Sequence, residues 1–135
     1  MPTQLEIVSP DRLLLSQPVD MAVIPAAEGD MGVMAGHSPM IVLLQGGTIT
    51  LHEGGRPTAK LFVSGGFAEI TPDRCTVLAD EAVPVAEVSR AKAEARLADA
   101  QQALATVDKN DVPAIDAAMS RVQSARAMLA AAEAA

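Results

Sequence analysis

Val83-Pro84-Val85-Ala86-Glu87 is where this 135-residue chain changes its grammar. All 9 glycines lie at or before Gly66, and only Pro113 of the 9 prolines lies beyond Pro84. Alanine shows the opposite bias, making up roughly a third of everything after Pro84, which is a helix-forming composition. The boundary at 83–87 therefore separates two segments that must fold by different rules.

Working back from the boundary, apolar residues alternate or cluster in short runs. Leu5 and Ile7 flank Glu6, Val19, Met21 and Val23 alternate with Asp20 and Ala22, and Ile49 and Leu51 alternate with threonines. Leu61 and Val63 lead to Gly65-Gly66, followed by Phe67–Ile70 and Thr76–Ala79. Punctuation falls at Ser9-Pro10-Asp11, Gln17-Pro18, Gly46-Gly47 and Thr71-Pro72-Asp73. Short strands broken at 8–12 residue spacing predict an antiparallel sandwich or flattened barrel over residues 1–84. Glu53-Gly54-Gly55-Arg56 predicts a tight hairpin, because glycine reaches the positive φ that such turns demand.

Forward of the boundary the period becomes helical. Residues 87 to about 107 contain no Gly or Pro and place Ala93, Leu97, Ala100, Leu104 and Val107 along one face. Asp108-Lys109-Asn110-Asp111-Val112-Pro113 interrupts, with Asp111 or Val112 near a cap and Pro113 suited to a first turn. A second helix then carries Ile115, Ala118, Met119, Val122, Ala125, Leu129 and Ala132 on one stripe. The expected architecture is α+β, an N-terminal antiparallel β-sandwich followed by an antiparallel α-helical hairpin over 87–135. Alanine brings little apolar bulk to that stripe while favouring helix strongly. Two readings stay open: a hairpin that docks and undocks as a unit, and one packed permanently through close helix approach.

Composition removes several functions. With 17 acidic against 10 basic residues the net charge is -7, the wrong sign for a partner held through phosphates. No nucleic-acid partner is expected. Phe62 and Phe67 are the only aromatics, so stacking surfaces for sugars or single strands are missing as well. Cys75, the single cysteine, allows neither an internal disulfide nor a multi-thiolate metal site, and alternation points it inward. The first residues, Met-Pro-Thr-Gln-Leu-Glu-Ile-Val, have neither the basic nor the apolar region of a signal peptide. Apolar runs such as Met40–Leu44 fall far short of the ~20 residues that span a bilayer, so no direct membrane insertion is expected.

Catalytic constellations are equally scarce. Gly29-Asp30-Met31-Gly32-Val33-Met34-Ala35-Gly36 lacks the Gly-Lys-Ser/Thr ending of a phosphate loop, and Pro39 follows before any helix. His37 and His52 have no ligand-spaced Cys or paired carboxylate, and no Gly-x-Ser-x-Gly elbow surrounds Ser38 or Ser64. No catalytic residue, no metal site and no independent enzyme are expected. Met31, Met34 and Met40 with Val33 and Ile41 read as an apolar loop cluster suited to a protein interface.

Leu5-Glu6-Ile7-Val8-Ser9-Pro10, Glu28-Gly29-Asp30 through Gly36-His37-Ser38-Pro39, Phe62-Val63-Ser64-Gly65-Gly66-Phe67-Ala68-Glu69-Ile70 and Thr76–Asp80 occur in an order and spacing that carry a resemblance. Together they resemble the epsilon subunit family of the F-type rotary ATP synthase, over essentially the whole chain. The resemblance implies a non-catalytic rotor subunit that couples rotation of the c-subunit ring, through the gamma subunit, to ATP synthesis. It would sit peripherally on the cytoplasmic side of the bacterial inner (plasma) membrane. By position, Glu28, Asp30 and Met31 would meet the c ring, while Ser9, His37 and Val42 would face gamma. In some members the hairpin extends towards the alpha and beta subunits and restrains hydrolysis. Others bind ATP through an Ile/Leu-Asp-x-x-Arg-Ala motif with two arginines on the second helix. Here Arg90 and Ala91 match, Glu87 replaces Asp and Ala86 replaces the aliphatic residue, with Arg121 and Arg126 five apart rather than four. The implied ATP site at Glu87, Arg90, Ala91, Arg121 and Arg126 is thus a weak one, and no cofactor is otherwise expected. The rival functions are a nucleotide sensor whose hairpin closes on ATP, and a generic binding domain with no rotary role.

Overall fold

The computed structural model describes residues 2–134, so the expected segments 1–84 and 87–135 each extend one residue outside it, at Met1 and Ala135. Ten strands come first: β1 (Thr3–Val8), β2 (Leu13–Val19), β3 (Met21–Ala26), β4 (Gly29–Val33), β5 (Met40–Leu44), β6 (Gly47–Glu53), β7 (Arg56–Val63), β8 (Gly66–Thr71), β9 (Arg74–Ala79) and β10 (Ala82–Pro84). Helices α1 (Arg90–Thr106) and α2 (Val112–Ala134) complete the chain. The strands form one hydrogen-bonded path, β10-β7-β6-β3-β5-β8-β9-β1-β2, with β4 added to β3. It wraps around a single apolar core, giving the flattened barrel and the α+β division expected from the two grammars. One pairing departs from the antiparallel pattern: β1 runs parallel to β9, with Gln4 opposite Arg74 and Val8 opposite Leu78.

Alternation fixes which faces are buried. Leu5 and Ile7 of β1 are fully buried while Glu6 is half-buried, as period-two patterning requires. Gly54 and Gly55 have φ of 62° and 77°, the paired left-handed conformations of a two-residue β6–β7 turn. The Gly54 N–H also donates to Asp20 Oδ2 at 2.7 Å. In β3 the inward residues are Ala22 and Ile24, while Met21 and Val23 are only half-buried. The chain corners at Asp20 between buried Val19 and β3, which resets the phase that a continuous alternation would have carried through.

In β7 the run Leu61-Phe62-Val63 is buried throughout. Leu61 and Val63 enter the barrel core, whereas Phe62 points outward beneath Val85, Ala93, Met128 and Ala131. The hairpin thus covers the second face of this strand. A separate seam of Ala100, Val122 and Ala125, flanked by Leu97 and Leu104, joins α1 to α2.

The helices differ from expectation in two places. The first begins at Arg90 rather than Glu87, because Val85–Glu87 forms a 3-10 turn, Val88 is extended, and the Ser89 side chain caps the helix by accepting from Lys92 N–H at 3.2 Å. The second is capped by Asp111, whose carboxylate accepts from Ala114 N–H at 3.1 Å. Its buried stripe is Ala118, Val122, Ala125, Met128 and Ala131, and Met119 is 55% exposed. The stripe is rotated from the expected one because α2 packs on α1 and on Phe62 at once.

Candidate partner-binding surface

Registers across β5, β8, β9, β1 and β2 bring a row of apolar side chains onto the outer face of the sheet. Leu43 lies opposite Phe67, Phe67 opposite Leu78, Leu78 opposite Val8, and Val8 opposite Leu13. Directly paired residues share a face. Leu43 is 70% exposed, and Leu13, Phe67 and Leu78 are exposed as well. The neighbouring row holds Ile41, Glu69, Thr76, Glu6 and Ser16 by the same registers. In it Ile41 is 68% exposed, and Glu6 is tied by Arg74 at 3.4 Å. A contiguous apolar row on an otherwise acidic, polar surface is the signature of a docking face rather than of scattered surface residues.

Ser9 and His37 stand at opposite ends of this face. Ser9 follows Val8 and closes the β1–β2 turn, its N–H donating to Arg12 O at 3.0 Å. His37 lies in a loop pinned to the other end of β9, where the Gly36 N–H donates to Pro72 O at 2.6 Å and Gly36 has φ of 83°. From Arg74 to Leu78 the strand rises about 13 Å. Val42 does not join them on the surface: it is half-buried and packs on the core, because β5 alternation turns Ile41 and Leu43 outward instead.

Glu28 and Asp30 are exposed on the β3–β4 hairpin, with Asp30 opposite Pro25. Met31 is half-buried against the core, so it supports the hairpin more than it presents a surface. The Ala27 N–H donates to Leu43 O at 2.8 Å, which fixes this acidic tip to the Leu43 end of β5.

The proposed nucleotide residues are not brought together. Arg90 is engaged by Glu94 at 3.0 Å on the exposed side of α1, and Glu87 lies on the 3-10 turn before the helix. Arg121 lines a cleft of about 450 Å³ with Arg96, Asp99 and Asp80, whereas Arg126 lines a different groove with Leu104 and Met119. Ala91 is exposed on α1. Among the described residues no group of three or more His, Cys, Asp or Glu side chains is placed to hold a metal. No helix among them is long and apolar enough to cross a membrane.

Sequence reasoning missed the junction between barrel and hairpin. The Gly46 N–H donates to Gln123 Oε1 at 2.8 Å, and Gln123 Nε2 donates back to Gly46 O at 2.7 Å. Beside this, Ser124 Oγ donates to Ser64 O at 2.8 Å. Arg96 forks onto Glu81, with Nη2 to Oε2 at 2.8 Å and Nη1 on Oε1. That hydrogen bond holds the Glu81 carboxyl below its ordinary value, partial burial opposing it. The only sequence trace of these contacts was Gly46 itself, whose missing Cβ reads as a turn.

Comparison with known proteins adds the family context. Residues 2–85 match the model of the ATP synthase Delta/Epsilon chain beta-sandwich domain. The chain is 67% identical over 130 residues to an ATP synthase epsilon chain of Granulibacter bethesdensis, covering 96% of each. It is 47% identical over 132 residues to that of Gluconacetobacter diazotrophicus, covering 98% of this chain and 94% of the relative. Among solved structures it is similar to a chain of the Euglena gracilis mitochondrial ATP synthase OSCP/F1/c-ring assembly, with 26% identity and a TM-score of 0.76, covering 96% of this chain and 81% of that one. A chain of the Tetrahymena thermophila mitochondrial ATP synthase central stalk and c-ring shares the fold at 14% identity, with a TM-score of 0.69 and coverage of 98% and 97%.

Proposed function

The chain belongs to the epsilon-chain family of the F-type ATP synthase, a non-catalytic subunit of that complex, and from this premise we propose that it is a rotor part whose outer sheet face grips the gamma subunit. The observation that carries this reading is the apolar row from Leu43 to Leu13, which crosses the strands at their Ser9 end, with His37 at the opposite end of β9. A partner that touches both Ser9 and His37 must run along the strands and pass over the row where it crosses β1 and β9. Burying exposed Leu43, Phe67 and Leu78 would then supply the grip, at roughly 25 cal/mol for each Å² of apolar surface covered.

The acidic β3–β4 tip, with Glu28 and Asp30 exposed, is the part that meets the c ring, where basic loop residues would give charge-assisted contacts. Torque then passes from ring to gamma through a barrel stiffened by its continuous sheet. Attachment to the cytoplasmic face of the bacterial inner membrane comes through these partners, and the hairpin is the segment within reach of alpha and beta subunits. The nucleotide-sensor alternative is disfavoured by the separation of Arg90, Arg121 and Arg126 onto different surfaces.

The test is binding of the full chain to purified gamma subunit. Leu43→Arg should weaken binding by at least tenfold with an unchanged circular dichroism spectrum, and unaltered affinity would overturn the assignment of this face.

A further inference from the structure

The outer apolar row does not stop at the edge of the barrel. Leu43 and Phe67 also line a groove of about 610 Å³ whose opposite wall is α2, through Met119, Ser120 and Gln123. Met119 is 55% exposed although the helix has an apolar stripe available to bury it. Three large apolar side chains, from β5, β8 and α2, therefore open into one space. Gly65 and Gly66 also line it, and a Cβ on Gly66 would collide with Leu78 O of the neighbouring strand.

The position of that wall is set by backbone contact. A Cβ on Gly46 would lie 2.6 Å from Ser124 Cα, so α2 sits on the peptide itself. The Gln123 amide then satisfies both the N–H and the C=O of Gly46, as a neighbouring strand would. The charge of the groove has one sign. Asp80 lines it and Glu69 projects from the same sheet face as Phe67, and neither makes an ion pair among the described residues. Among the described residues no Lys or Arg lines it, Arg96 and Arg121 lying in the adjoining cleft that shares Asp80.

We propose that the docked hairpin completes the seat for gamma, with Met119 of α2 and Leu43 and Phe67 of the sheet closing on one apolar segment of that subunit flanked by basic residues. This deepens the reading of the sheet face and rests on it. Because the seat exists only while α2 is docked, binding of gamma and docking of the hairpin strengthen one another by the same factor. The Gln123–Gly46 clamp, itself part of the groove wall, sets that coupling by holding α2 in place.

The experiment measures the affinity of purified gamma subunit for four full-length chains by calorimetry. Leu43→Arg tests the sheet face, Met119→Arg tests the helix wall, and Gln123→Ala tests the clamp against the unaltered protein. Each is repeated with Met128→Cys: Met128 is 3% exposed in the docked form, so the labelling rate of a thiol there reports hairpin release. Met119→Arg is expected to lower affinity about tenfold with labelling unchanged. Gln123→Ala is expected to lower affinity while raising labelling, and gamma is expected to slow labelling in return. If Leu43→Arg weakens binding but Met119→Arg and Gln123→Ala do not, the hairpin is no part of the seat and the inference is overturned. If Leu43→Arg also leaves affinity unchanged, the sheet-face reading fails with it.

Discussion

Gln123 pairs with Gly46 through both ends of its side-chain amide, at 2.8 and 2.7 Å, across 77 residues of sequence. Each such bond contributes about 0.5–1.5 kcal/mol net, yet leaving either Gly46 group unpaired beneath the helix costs more. The hairpin of this chain is thus registered on its barrel by peptide groups as much as by apolar contact.

Gly46→Ala should loosen the hairpin without unfolding the barrel. The added methyl must displace Ser124 or the β5–β6 turn, an overpacking cost of about 1–3 kcal/mol. In the Met128→Cys background, labelling should accelerate at least tenfold, while Cys75, buried in the barrel core, stays protected. An unchanged labelling rate would show that the turn absorbs the methyl.

Phe62→Ala should cost about 3–5 kcal/mol, the usual range for emptying a fully buried aromatic site. Because Phe62 lies under Val85, Ala93, Met128 and Ala131, the loss should fall on the hairpin side. Hydrogen exchange should rise in α1 and α2 far more than in β1 and β9. Uniform loss of protection would mean that barrel and hairpin unfold as one unit.

Acidification should release the hairpin before it opens the barrel. The hydrogen bond from Arg96 lowers the Glu81 carboxyl relative to its unfolded value near 4.5. A depressed folded value stabilises above the unfolded one, and that contribution disappears as pH falls through the folded value. The amide-exchange rate of α1 and α2, corrected for the intrinsic pH dependence of exchange, should therefore rise below about pH 4.5, and Glu81→Gln should already show the elevated rate at neutral pH. A pH-independent rate in the parent chain would exclude the Arg96–Glu81 pair as a restraint.

Cys75 should resist alkylation in the folded protein. Burial pushes its thiol up to about 11, so at pH 8 it is neutral as well as enclosed. Iodoacetamide should modify it only at the rate of barrel opening, measurable by mass spectrometry. Fast modification in native buffer would contradict the closed core.

Local chemistry made much of this architecture legible. The loss of glycine at Gly66, the paired glycines at 54–55 and the break before Pro113 each act within a few residues, so they survive in sequence. The start of α1 was misjudged because Ser89, rather than the break in composition, sets the cap. The expected stripe includes Met119 and omits Met128, the reverse of what is buried, because an alanine-rich helix offers little contrast between its faces. Val42 was placed outward by family position, although its own strand turns it inward. Arg96 on Glu81 and Gln123 on Gly46 join distant elements, and no periodicity marks such a pair before the chain has folded.

The parallel match of β1 with β9 sets a clock for biosynthesis. About 70 residues separate Gln4 from Arg74, so β1, which can pair with β2 as soon as both are made, waits for nearly the last strand before its other edge is covered. Until then Leu5 and Ile7 are unshielded in the nascent polypeptide. Slow translation upstream of codon 74 should make that waiting period, rather than helix formation, the stage most exposed to aggregation.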